Sequence, residues 1–149
     1  MPPTTTTLPD AALDALLDAA RAARDHAYAP YSAFAVGAAV QTRDGHRFGG
    51  CNVENAAYGL CNCAERTALF TAIAAGYRPG DFVALAVITA TDAPASPCGA
   101  CRQVLAELCD QAMPVMLGNL HGATQKTTVA ALLPAAFRLD PPTASARPR

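Results

Sequence analysis

Apolar positions recur along this chain with two different periods, and the switches between them divide it into elements. Leu13, Leu16, Leu17, Ala20 and Ala23/Ala27 repeat at helical spacing across 11–28, after Pro9-Asp10 and before Pro30. That predicts a first helix with Asp10 as N-cap and Pro30 as its stop. Residues 34–42 read as a strand, and Arg43-Asp44-Gly45-His46 as a turn into a second strand over 47–53. Asp-Gly between two strand-like runs is a strong hairpin signal, because the turn needs positive φ. Residues 63–75 form an Ala- and Leu-rich helical stretch closed by Gly76. Residues 82–89 (Phe-Val-Ala-Leu-Ala-Val-Ile-Thr) are apolar almost throughout, as in a strand covered on both faces. A third helix is predicted over 98–111, short strands over 114–117 and 126–129, and a last helical turn over 129–133.

The order α-β-β-α-β-α-β-β makes this an α/β chain: a mixed, roughly five-stranded sheet with helices on both faces, three layers in all. Ligands in such folds collect at strand ends and helix starts. Residues 10–138 read as a single domain without internal repeats. The Pro/Thr-rich 1–9 and the Pro/Ser/Arg-rich 139–149 are expected to be flexible segments.

Composition narrows the partners. Of the 149 residues, 52% are hydrophobic and 15% charged, which suits a packed core and excludes general disorder. The net charge is −1 and the body of the chain carries no Lys/Arg cluster, so a polynucleotide partner is not expected. The N-terminus lacks the charged and apolar regions of a secretion signal, and no apolar run reaches the ~20 residues of a membrane helix. A soluble, cytoplasmic protein is the expectation. Its six cysteines (51, 61, 63, 98, 101, 109) could pair as disulfides in a secreted chain; in a reducing compartment, clustered spacing points to metal.

The clustered ones are Cys63-Ala64-Glu65 and Pro97-Cys98-Gly99-Ala100-Cys101. Each motif falls at a predicted helix start, where the partial positive charge and unpaired N–H groups stabilise thiolates. Cys98 and Cys101, three apart, share a helix face and can hold one ion together; Cys63 supplies a third thiolate. Three protein ligands leave the fourth tetrahedral position of zinc open to water, the catalytic arrangement, whereas a structural site closes with a fourth Cys or His. Glu65, two residues from a ligand, is placed to move protons at that position. Three thiolates on Zn²⁺ carry a net negative charge, and Arg66 and Arg102 are the candidates to offset it, Arg66 the favoured one. Cys51, Cys61 and Cys109 read as small buried apolar residues.

C-x-E followed by P-C-x-x-C is the known signature of zinc deaminases, here with Cys63 where many have His. With Tyr31-Ser32-Ala33-Phe34-Ala35-Val36-Gly37, Asn52-Val53-Glu54-Asn55-Ala56-Ala57-Tyr58, Cys61-Asn62-Cys63-Ala64-Glu65-Arg66-Thr67-Ala68, Ser96-Pro97-Cys98-Gly99-Ala100-Cys101-Arg102-Gln103 and Leu132-Leu133-Pro134, the chain resembles the small homotetrameric cytidine deaminases over about 10–138. The resemblance implies their three-layer fold and one zinc per subunit on Cys63, Cys98 and Cys101. It implies hydrolytic deamination of cytidine and 2′-deoxycytidine in pyrimidine salvage, with Glu65 as proton shuttle. It places Asn52 and Glu54 at the ribose 3′-hydroxyl, Phe34 beside the base, and the backbone at Ala64 and Ser96 along the pyrimidine edges. It sends Ala56, Tyr58 and Phe137 to a neighbouring subunit's site. Read from the residues alone, Asn52 and Glu54 are hairpin-end polar groups, and Phe34 and Phe137 core aromatics.

Three rivals remain. A deaminase of another aminopyrimidine nucleoside, such as blasticidin S, shares C-A-E and P-C-x-x-C-R-Q, but Asn52-Val53-Glu54-Asn55 favours cytidine. Polynucleotide deaminases typically use His as the first ligand and need basic surface. A non-catalytic zinc module lacks a reason for Glu65 and for the missing fourth ligand.

Overall fold

The computed structural model describes residues 8–139. The expected flexible segments, 1–9 and 139–149, therefore lie outside the described residues except for Leu8, Pro9 and Leu139. The elements are α1 (Asp10–Arg24), β1 (Gly37–Thr42), β2 (Arg47–Cys51), a 3₁₀ turn (Tyr58–Leu60), α2 (Ala64–Ala74), β3 (Phe82–Thr89), α3 (Gly99–Leu108), β4 (Pro114–Asn119), β5 (Thr124–Thr128) and α4 (Val129–Leu132). The strands form one sheet in the order β2-β1-β3-β4-β5. Only β3 and β4 run parallel; the other neighbours are antiparallel. This is the mixed five-stranded sheet the element order predicts.

Strand periodicity sorts the core into two faces. Ala39, Ala86, Ile88 and Met116 point to one side, where Leu13, Leu16, Leu17 and Ala20 of α1 cover them. Ala38, Val40, Leu85, Val87, Val115 and Leu117 point to the other, against Ala64, Ala68, Leu69 and Ala72 of α2 and Leu105 of α3. The β1–β3 register shifts where Gln41 pairs with Ala84 but Thr42 with Phe82. The extra residue turns Phe82 onto the α2 face and Ala84 onto the α1 face, although both are even-numbered.

Several element ends differ from the sequence expectation. The N-cap of α1 is Pro9, whose carbonyl accepts from the Ala12 and Leu13 amides; Asp10 is the first helical residue, favoured there by the helix dipole. α1 ends at Arg24, well before Pro30, because Tyr28 is taken up in a bridge with Val53: Tyr28 N donates to the Asn52 carbonyl (3.0 Å) and Glu54 N to the Tyr28 carbonyl (2.8 Å). β1 begins at Gly37 rather than at 34, since residues 31–36 are drawn off the sheet by side chains described below. α3 stops at Leu108 rather than 111.

Two glycines set the helices' distance from the sheet. A β-carbon on Gly37 would overlap the Ala20 carbonyl of α1, and one on Gly50 would overlap the Ala68 amide and Ala64 carbonyl of α2. The first turn of α2 therefore lies directly on β2, with nothing but hydrogen between the two backbones. Gly50→Ala is expected to destabilise the fold by about 3 kcal/mol through overpacking and to weaken zinc binding by displacing that turn. Urea unfolding and zinc titration of the variant check both effects.

Candidate active site

The two loop-to-helix junctions deliver the ligands. Cys63 and Cys98 are the N-cap residues of α2 and α3, both in extended backbone, and Cys101 lies in the first turn of α3. Tetrahedral zinc with bonds of ~2.3 Å to sulfur sets ligand sulfurs roughly 3.8 Å apart. The Cys63 and Cys98 sulfurs are 3.8 Å apart, and all three lie within 4.8 Å of one another. The donor set fits zinc, which the three thiols would hold with one position left over. Among the described residues the cluster has no fourth His, Cys, Asp or Glu ligand. Cys63 is further held from behind: the Thr67 amide (3.0 Å) and hydroxyl (3.1 Å) donate to its carbonyl, and Asn62 Nδ2 donates to Thr67 Oγ1 (3.0 Å).

Charge is distributed unevenly over the three sulfurs. A hydrogen bond from Cys101, opposed by burial and supported by Arg66, brings the Cys63 thiol down to about 5. Cys101 is shifted up in turn, first by its hydrogen bond to the Cys63 sulfur and then by burial, with Glu65 adding repulsion. Arg66 Nη2 donates to Cys63 Sγ at 3.3 Å, and that bond raises the guanidinium's own pKa. Its Nε is buried without a hydrogen-bond partner. Arg66 thus places its positive charge against the Cys63 sulfur. Arg102 makes no contact with a ligand sulfur; it bonds to Pro97, Ser96 and Leu132 instead.

Glu65 is 5% exposed, and the Cys101 thiol donates to its Oε2 at 3.6 Å. Burial is the main reason its carboxyl is shifted up, with the Cys63 charge adding to it. A proton is therefore held more tightly here than on an ordinary glutamate.

The open side of this cluster is a cavity of about 320 Å³. Its walls include Phe34, Asn52, Glu54, Ala64 and Glu65, so the structure brings these sequence-selected residues to one place with Cys63 and Cys98. Asn52 and Glu54 also shape that wall. Asn52 Oδ1 accepts from Val36 N (2.8 Å) while Nδ2 donates to the Phe34 carbonyl (2.7 Å). Glu54 accepts from the Tyr31 (2.8 Å) and Ser32 (3.2 Å) amides and from the Ser32 hydroxyl, which holds its carboxyl below the usual range. Both side chains keep capacity: a second amide hydrogen on Asn52 and spare lone pairs on Glu54.

Ala56, Tyr58 and Phe137 are not brought into this pocket. Tyr58 is 73% exposed and stacks edge-on against Tyr31; Phe137 is 68% exposed, its carbonyl accepting from Gln103 Nε2 at 2.9 Å. Of the remaining cysteines only Cys109 is fully buried, which pushes its thiol up to about 12. Cys51 and Cys61 are half-buried, and Cys61 lines the pocket, correcting the reading of all three as buried apolar residues. All six cysteines are free. Thr89, at the carboxyl end of β3, is a pocket residue that sequence reasoning missed. It is the polar residue that closes an apolar strand, the position where ligands gather in such sheets.

A carboxyl whose pKa is raised by folding stabilises the fold below its unfolded pKa and loses that contribution as pH rises through the folded value. The metal-free protein should therefore lose stability as pH climbs above the ordinary glutamate range. Metal-free Glu65→Gln should be the more stable of the two at neutral pH, with the gap closing on acidification. Thermal unfolding across pH with chelator present measures this.

Known proteins share this sequence and fold. Residues 11–117 match the family model described as "Cytidine and deoxycytidylate deaminase zinc-binding region". The chain is 54% identical to a cytidine deaminase of Sporosarcina psychrophila over 125 residues, covering 84% of this chain and 90% of that protein. It is 57% identical to one of Halalkalibacterium halodurans, covering 84% and 93%. The crystal structure of cytidine deaminase from Burkholderia pseudomallei superposes with a TM-score of 0.82 at 61% identity, over 83% of this chain and 98% of that one. The corresponding Mycobacterium tuberculosis structure gives 0.72 at 37% identity, over 85% and 98%. Both the sequence and the fold thus match one group of proteins, and this chain belongs to the cytidine and deoxycytidylate deaminase family.

Proposed function

We propose that the protein deaminates cytidine and 2′-deoxycytidine hydrolytically, yielding uridine and 2′-deoxyuridine with release of ammonia. The observation that carries this reading is the buried Glu65 carboxyl, 3.6 Å from a ligand sulfur and facing the same pocket as the thiol cluster. Zinc, when bound, supplies Lewis-acid activation of a water molecule. Glu65 takes a proton from that water, passes it to N3 of the pyrimidine and later serves the departing amine at C4. The raised proton affinity of its carboxyl suits it to hold the proton between these steps. Arg66 keeps the thiolate cluster from becoming too negative to favour water ionisation.

Substrate contacts follow the pocket walls. Ala64 begins α2, where backbone N–H groups have no helical partner and can meet the pyrimidine carbonyl. Phe34 lies beside the base, and the spare valences of Asn52 and Glu54 meet the 3′-hydroxyl, leaving a substrate without that group to strand them unpaired. Ribo- and deoxyribonucleosides share that hydroxyl, so both enter. The exposed Ala56, Tyr58 and Phe137 fit a homotetramer in which each subunit, with its own zinc, helps complete a neighbour's site. A pocket at the small end of the ~300–1,000 Å³ ligand range and a net charge of −1 suit a free nucleoside rather than a polymer. Among the described residues no helix is long and apolar enough to cross a membrane. Reduced metal-binding thiols and a free nucleoside substrate fit pyrimidine salvage in the cytoplasm.

Glu65→Ala should keep about one zinc per chain while losing about 10³-fold or more in kcat. Metal analysis and ammonia release on one sample test this, and wild-type rates in the variant would sink the assignment of Glu65. Parallel assays on cytidine, deoxycytidine and blasticidin S should show turnover of the first two only. In the same preparation, light scattering should return four times the chain mass; Phe137→Ala should raise KM for cytidine several-fold while zinc content stays unchanged.

A further inference from the structure

The segment between β3 and α3 forms one wall of the pocket through Ala95 and Ser96 and then delivers Cys98. It ends at Cys98 in extended backbone, outside the strands of the sheet. Arg102 holds this end. Its amide donates to the Cys98 carbonyl at 3.0 Å, and its guanidinium folds back along the same segment. Nε donates to the Pro97 carbonyl at 2.7 Å and Nη2 to Ser96 Oγ at 2.8 Å. Nη1 reaches the Leu132 carbonyl at the end of α4, at 2.9 Å. Three acceptors from two separate parts of the chain thus meet one rigid planar fork. A lysine, with a single ammonium on a flexible stem, cannot reproduce that geometry.

We propose that Arg102 is a positioning residue for the deamination: by holding Ser96 and Pro97 it fixes the Ala95–Ser96 wall of the substrate pocket against α4, and it acts through hydrogen-bond geometry rather than by offsetting thiolate charge. The division of labour with Arg66 supports this. Arg66 donates directly to Cys63 Sγ, whereas every guanidinium nitrogen of Arg102 is spent on a carbonyl or hydroxyl of the scaffold. The wall so held faces the reacting end of the pocket, beside Cys98 and Glu65. Misplacement of a wall by an ångström costs reaction geometry before it costs binding.

The inference rests on the deaminase reading, and the test separates the two. Zinc-loaded wild type, Arg102→Gln, Arg102→Lys, Ser96→Ala and the Ser96→Ala/Arg102→Lys double variant are compared for zinc content, kcat and KM on cytidine. Both Arg102 variants should retain one zinc per chain and lose about 10-fold or more in kcat, with KM changing less than about 3-fold. Lysine should do no better than glutamine, since it restores charge without the fork. Ser96→Ala should lose about 3-fold in kcat, and the double variant should be no worse than Arg102→Lys, as expected of two groups in one contact. Near-wild-type Arg102→Lys beside an impaired Arg102→Gln would overturn the inference in favour of a charge role, and zinc loss in both would overturn it in favour of metal retention. Should the Arg102 variants fail to fold, wild-type kcat in Ser96→Ala overturns it. Zinc-loaded wild type inert on cytidine removes the deaminase reading and this inference together, a pattern distinct from active wild type with active variants.

Discussion

Three cysteine sulfurs within 4.8 Å of one another become an electrostatic liability once ionised to thiolates, unless something positive meets them, and the surrounding architecture supplies it. Both loop-to-helix junctions aim a helix N-terminus at the cluster, and Arg66 adds a full charge on the Cys63 sulfur. Neither device would work at a distance. Gly50 lets the first turn of α2 rest on β2, and the parallel β3–β4 pair brings the start of α3 to the same end of the sheet. The metal site is thus the point where the tightest backbone approach and the strongest charge coincide.

Within that field the protein holds a carboxyl under 10% exposed, which is costly for an ionised glutamate unless it has partners. Burial and the neighbouring thiolate raise the proton affinity of Glu65, and this same cost is what would suit it to the shuttle role proposed for it. The walls of the pocket show a second economy. Asn52 and Glu54 each bind the 31–36 segment through part of their hydrogen-bonding capacity and leave the rest free on the pocket wall.

The helices, the hairpin and the apolar central strand were legible because each depends on local periodicity and turn chemistry. Their ends were less so. α1 stops at Arg24 because Tyr28 pairs with Val53, a partner 25 residues away that no local signal announces. The start of β1 moved to Gly37 because Asn52 and Glu54 take hold of the preceding residues. The same long-range bonds that blurred these boundaries are the ones that shape the pocket.

The chain's order of residues determined the chemistry: C-x-E and P-C-x-x-C specify three thiols, an adjacent carboxyl and an open metal position whatever the route between them. It also determined two amphipathic faces for the central sheet, since period-two strands must bury both sides when helices flank them. Only the tertiary structure decided which arginine reaches the thiol cluster. Arg66 and Arg102 each follow a ligand residue by three or one positions, and sequence spacing cannot show where a long, flexible side chain ends. In the fold, one reaches a sulfur and the other turns away to carbonyls on two different segments. Direction in space, which comes from packing rather than spacing, made the difference.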